Sequence, residues 1–190
     1  MTFPAAGLAV ARLPAWAKEL VDAYESNSAS QFLIYGNVED RLVAPGPPPR
    51  VASLTEFLLE TLLPGFDVVL SYDLGNGVRV EKGGAVFSKW PTAKSGTEVS
   101  KQPRAAIEFL THYFRYAANL ARLNRETVQI ACLVKGVDLI APSLRGGMDY
   151  DLGAIVTLIR DWASDGALVD YPLATFLIAE NLNDVHPLLT

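Results

Sequence analysis

Lys135, Asp138, Glu180 and Asn181 are the residues of this chain best placed to do chemistry. They follow two apolar runs that a sheet would bury, VQIACLV at 128–134 and LATFLIA at 173–179. Polar side chains at strand ends project into the crevice above an α/β sheet, where ligands bind. Lys135 can neutralise an anion there, and Asp138 with Glu180 offers a carboxylate pair for acid–base work on a phosphorylated ligand. The plain readings stand beside these: Lys135 ends its strand and meets solvent, Asp138 or Glu180, and Asn181 caps a turn. Gly146-Gly147 could let backbone amides approach an anion, or simply form a surface loop. His112 and His186 have no His or Cys at a ligand spacing, so both are structural and no metal site is expected. Cys132 lies between Ala131 and Leu133 in mid-strand, where a thiol behaves as a small hydrophobe and its thiolate is disfavoured.

The elements that must hold these residues follow from periodicity and punctuation. Trp16, Leu20, Val21 and Tyr24 recur at helical spacing after Pro14, and the polar run SNSAS at 26–30 ends that leading helix. QFLIY at 31–35 is a short strand buried on both faces, closed by Gly36. The proline cluster PGPPPR at 45–50 excludes regular structure. Ser53 and Glu56 have capping-box spacing ahead of the apolar helix LTEFLLETLL, which Pro64-Gly65 ends. DVVLSY at 67–72 is the next strand, and Asn76-Gly77 turns it into a β-ribbon reaching about Val80. A polar, Gly-rich excursion at 82–102 carries Phe87 and Trp90. Pro103 opens the longest helix, to about Leu123, with one stripe of Ile107, Leu110 and Phe114 and a second of Phe109, Tyr113, Tyr116 and Leu120. A helix capped by Asp149 or Asp151 carries Leu152, Ile155, Val156, Ile159 and Trp162 between the last two strands. Strands alternating with helices of this length imply right-handed crossovers, a parallel sheet and an α/β fold with helices on both faces.

Composition narrows the classes. The 190 residues are 50% apolar and carry a net charge of -5, so a sizeable core is available and no positive field exists to hold nucleic acid. A single cysteine favours a reducing compartment, so the cytoplasm is expected. No signal peptide and no apolar run long enough for a membrane span is read from the chain.

Two strand ends taken together resemble AAA+ ATPases. TFLIAENLNDVHPLL at 175–189 resembles their sensor-1 strand and following loop, with Ala179, Glu180, Asn181 and Pro187 in the matching places. CLVKGVDLIAP at 132–142 is similar to their Walker B strand, about forty residues upstream as that fold requires. FLIYGNVED resembles the opening of bacterial proteins that carry a degenerate AAA-like module ahead of an intact ATPase module. The resemblance implies a P-loop NTPase-like domain over residues 30–190, truncated before its fifth strand and lid, with 1–29 as a leading helix and linker. It further implies an amino-terminal part of a larger ATPase.

The departures from the family pattern are chemical. A phosphate loop needs Gly-x-x-x-x-Gly-Lys-Ser/Thr, so that bare amides wrap the phosphates, Lys neutralises them and a hydroxyl holds magnesium. Counting from Gly36, the last three places hold Arg41, Leu42 and Val43, and no Gly-Lys dipeptide occurs in the chain. In the Walker B strand Lys135 replaces the magnesium-holding Asp and Gly136 the water-activating Glu, leaving only the later Asp138. The expectation is a non-hydrolysing module with no cofactor of its own, ATP and magnesium belonging to the parent protein. It would serve ring assembly, recruitment of a protein partner or client, or regulation. Lys135, Asp138 and Asn181 are the residual nucleotide-site positions, and Phe87, Trp90, Tyr113 and Tyr116 the candidate interaction residues for a client or neighbouring subunit. The alternatives are a free-standing adaptor domain and a nucleotide-binding domain that uses Lys135 and Asn181.

Overall fold

The structure, a computed structural model, describes residues 13–26, 29–36, 43–44, 50–73, 76–89, 103–140, 150–165, 168 and 173–190. Helix α1 (Ala15–Glu25) leads into strand β1 (Gln31–Tyr35). A two-residue ladder of β2 (Val43–Ala44) and β3 (Arg50–Val51) follows, where the prolines had excluded regular structure; residues 45–49 lie outside the described residues. Helix α2 (Leu54–Phe57) runs on into a π-helical turn, Leu58–Leu62, closed by the Leu63 N–H donating to the Leu58 carbonyl at 2.8 Å. The wider turn accompanies complete burial of Leu58, Leu62 and Leu63.

Strand β4 (Val68–Asp73) turns through Asn76 into β5 (Gly77–Lys82), and Tyr72 pairs with Val78 and Ser71 with Arg79. A short helix α3 (Gly84–Phe87) precedes α4 (Pro103–Asn124), β6 (Ile130–Lys135), α5 (Tyr150–Asp161) and β7 (Leu173–Ala179). The main sheet has the order β1-β7-β6-β4-β5, all parallel except the β4–β5 ribbon. This is the α/β architecture with a β-ribbon insertion that the alternation of elements predicts.

Alternation along the strands sends successive side chains to opposite faces. Val68, Leu70, Tyr72, Ile130, Cys132 and Val134 pack beneath α4 and α5. Val69, Ala131, Leu133, Ala174 and Phe176 pack beneath α1 and α2. On the first face Phe114 meets Trp162 edge-on with centroids 5.2 Å apart. The Trp162 indole N–H donates to Thr111 Oγ1 at 2.8 Å, and the Thr111 hydroxyl donates to the Ile107 carbonyl. One buried indole is thereby satisfied inside an apolar layer.

The apolar side of the leading helix and the second stripe of α4 do not meet, because the two helices cover opposite faces of the sheet. Trp16 lies against Phe57 and Tyr24 against Phe66, while Tyr113, Tyr116 and Leu120 belong to the α4 side. Four α1 residues are buried, so this helix is part of the same body as the sheet rather than an appendage to it.

Candidate functional site

The polar end of the sheet is built from strand ends and one helix start. Over the carboxyl ends of β1, β7, β6 and β4, on the α2 side, lies a cleft of about 1210 Å³. This is where a parallel sheet presents its ligands, because the chain leaves β1 toward one face and β4 and β6 toward the other.

The wall nearest β1 is the start of α2, and here the capping box is formed in both directions. The Glu56 N–H donates to Ser53 Oγ at 3.2 Å, and the Ser53 N–H donates to Glu56 Oε2 at 2.9 Å. A helix amino terminus offers free amides and a positive dipole end to an anion. At α2 the resident carboxylate of Glu56 takes that place. The Gly-Lys-Ser/Thr places counted from Gly36 do not lead into this helix. Val43 lies in β2, Arg41 and Leu42 lie outside the described residues, and the helix begins only at Leu54.

The opposite wall comes from β6 and the β4–β5 ribbon. Lys135 ends β6 beside Asp73 of β4, half-buried, and its side chain makes no hydrogen bond or ion pair among the described residues. Of the plain alternatives for Lys135, pairing with Asp138 or Glu180 is thus not formed. Instead Asp138 Oδ2 accepts the Glu180 backbone N–H at 3.1 Å, tying the segment after β6 to the end of β7. Its other oxygen, Oδ1, is buried without a hydrogen-bond partner among the described residues. Gly136 has φ of +74°, a left-handed conformation that side chains rarely adopt, and its N–H donates to the Ile178 carbonyl. The chain therefore turns at Gly136, in a conformation that favours glycine.

Asp73, Arg79 and Glu81 also face this cleft, and the residue-type reading overlooked them. The Ser71 hydroxyl donates to Glu81 Oε1 at 2.5 Å, which holds the carboxylate against the sheet. Their signal is in the sequence: counting outward from Asn76-Gly77 pairs Asp73 with Gly77 and Ser71 with Arg79, which puts Asp73 at the carboxyl end of β4 and Arg79 two residues into β5.

Asn181 is placed differently from Lys135 and Asp138. Its Oδ1 accepts the Asn183 N–H and its amide donates to Asp184 Oδ2 at 2.7 Å, so its polar atoms serve their own turn. It does not line the cleft. The interaction residues are also redistributed. Phe87 is buried, 4.7 Å from the ring of Tyr113, which is itself buried, because α3 folds back onto the sheet. Neither ring is displayed to a client or neighbouring subunit. Tyr116 is half-buried against the same layer, while Trp90 and Gly146-Gly147 lie outside the described residues.

The remaining reactive groups are structural in their surroundings. Burial pushes the Cys132 thiol well above its ordinary pKa and leaves it protonated in mid-strand. Among the described residues no group of three or more His, Cys, Asp or Glu side chains could hold a metal ion. Among the same residues no helix is long and apolar enough to cross a membrane.

A family model described as the AAA+ chaperone, N-terminal Rossmann-like domain, matches residues 4–190. The chain belongs to this family. The match begins ahead of β1 and so takes in α1, in keeping with the packing of that helix. No curated protein matches the sequence. One chain of an E. coli HORMA:CdnC:Trip13 complex is similar in structure, with a TM-score of 0.48 and 17% identity over 92% of this chain and 51% of that one. The AAA+ chaperone N-terminal domain thus spans about half the length of that neighbour.

Proposed function

We propose that this AAA+ chaperone N-terminal domain is a non-hydrolysing module that serves assembly, partner recruitment or regulation of a larger AAA+ ATPase. The observation that carries the reading is the start of α2, where Glu56 and Ser53 close the helix end that would otherwise receive a phosphate. Lys135 and Gly136 support it from the other wall. A cation replaces the metal's carboxylate, and a left-handed glycine replaces the base. Positioning and charge neutralisation supply most of the catalysis of phosphoryl transfer, so a cleft without either retains shape but no turnover. Calorimetric titration of the chain with ATP and magnesium tests this. No saturable binding is expected, and tight magnesium-dependent binding would overturn the reading.

A further inference from the structure

We propose that the outer edge of β1 pairs, antiparallel and about a two-fold axis at Leu33, with the same edge of a second copy of this chain. The proposal rests on the assembly role in the preceding reading and gives it a surface and an occupant. β1 lies at one end of the sheet and β5 at the other. The Thr175 N–H donates to the Ser30 carbonyl and the Gly36 N–H to the Ala179 carbonyl, which fixes the parity of the β1–β7 ladder. Even-numbered residues of β1 bond to β7, so the N–H and C=O groups of Gln31, Leu33 and Tyr35 point away from the sheet. Among the described residues no strand meets them.

The two edges of the sheet are built differently. The pairing of β5 with β4 is interrupted by a register shift between Val69 and Leu70, and Arg79, Glu81 and Lys82 lie along it. Bulges and charges of this kind keep a solvent-facing edge from pairing. β1 has neither. Its residues are uncharged, pair with β7 without a break, and are held by Phe32 stacked on Phe176 with centroids 5.7 Å apart. Tyr35 is 52% exposed, and Gln31, Phe32 and Leu33 are only half-buried. Such an edge is a template for another strand. It also matches itself. Turned about Leu33, it sets Leu33 opposite its own copy and Gln31 opposite the partner's Tyr35, so every outward N–H and C=O finds a counterpart and no like charges meet. This isologous contact closes as a dimer, whereas β1 on β5 would leave edges free and propagate, and the shift and charges of β5 oppose it.

The test is sedimentation of the full chain across concentration, with amide hydrogen exchange followed by NMR. Strands of five residues make a small contact beside a stable interface, so a dimer is expected only above about 10–100 µM. On dimerisation the Leu33 and Tyr35 amides should slow at least about tenfold, whereas those of Phe32 and Ile34, bonded to β7, are slow at every concentration. Gln31→Lys with Tyr35→Lys sets like charges opposite each other and should weaken association about tenfold; Gln31→Lys with Tyr35→Glu sets opposite charges there and should restore it. Lysine at 31 keeps a donor for the Ile159 carbonyl that Gln31 Nε2 reaches at 2.9 Å, and Tyr35 is exposed, so both variants retain the fold. A chain monomeric up to about 500 µM, polymers in place of a dimer, fast Leu33 and Tyr35 amides in the dimer, or equal weakening by both double variants would each overturn the pairing. MgATP is titrated in parallel: its binding overturns the non-hydrolysing reading and leaves the pairing standing, whereas a monomer that ignores MgATP overturns the pairing alone.

Discussion

The two faces of one sheet end differently in this molecule. Beneath α4 and α5 the face is sealed by Phe87, Tyr113, Phe114 and Trp162, all buried. Beneath α1 and α2 the same strands are covered as completely at their centres, by Phe57, Leu58, Leu62 and Phe66, yet a cleft opens at their carboxyl ends. The strands contribute equally apolar residues to both faces, so the difference lies in the covering helices. The long α4 spans Pro103–Asn124, whereas α2 begins late, after the β2–β3 ladder, and a cleft lies between its start and the strand ends. On the reading proposed above, this cleft keeps its space without the groups that hold a triphosphate.

Alkali is expected to act most strongly on this comparison, because each face buries a group that must stay protonated. Burial raises Tyr72 to about 12, with the Asp73 charge adding to it, and raises Tyr24 to about 12; Cys132 moves in the same direction. The folded state holds these protons more tightly than the unfolded chain, whose ordinary values are 9.0 for the thiol and 10.0 for the phenols. Stability is full below pH 9 and falls as pH rises toward 12. Chemical denaturation at a series of pH values checks this, and Tyr72→Phe should raise the alkaline midpoint. A midpoint insensitive to pH between 9 and 12 would contradict it.

Phe114→Ala should break the sealed face, costing about 3–5 kcal/mol in urea denaturation and leaving the nucleotide behaviour of the cleft unchanged. Gly83 lets α3 carry Phe87 into that face: its φ is +78°, and a Cβ there would lie 2.0 Å from the Asp67 carbonyl oxygen. Gly83→Ala should cost about 1–3 kcal/mol by the same assay. On the open face Ser53→Ala removes one half of the capping box and should cost about 1 kcal/mol. If the reading of α2 is right, the variant still binds no MgATP, since Glu56 remains at the helix end. Leu139→Ser changes only an exposed rim residue and should alter stability by less than about 0.5 kcal/mol. A larger loss would mean that Leu139 supports the fold.

Much of this was legible in short stretches of chain. The bounds of β1 and β7 coincide with the apolar runs QFLIY and LATFLIA, but only β7 is buried along its length; β1, expected to be buried on both faces, lies at the sheet edge and buries Ile34 alone. The Ser53–Glu56 box formed as its spacing requires, since both hydrogen bonds lie within one turn. The partner of the second α4 stripe was not legible: periodicity groups residues on one side of a helix without saying which face of the sheet that helix covers. For Phe87 a related limit holds: whether an aromatic in a polar stretch is displayed or folds back onto the sheet is decided only when the positive φ of Gly83 turns it inward. Asp73 and Glu81 escaped notice because they become neighbours of Lys135 and Asp138 only when β4 and β6 pair.

The sequence by itself determined which groups are absent: no Gly-Lys dipeptide, no acid at 135 or 136, and a single thiol. It also located the starts of α2, β1 and β7, because capping, turn chemistry and side-chain alternation act over a few residues. Only the tertiary structure decided what the remaining charges do. The carboxylate of Glu56 occupies its own helix end, Asp138 holds the end of β7, and the Lys135 side chain has no partner among the described residues. Electrostatic roles depend on distance and burial, and these arise when strands remote in the chain are brought side by side.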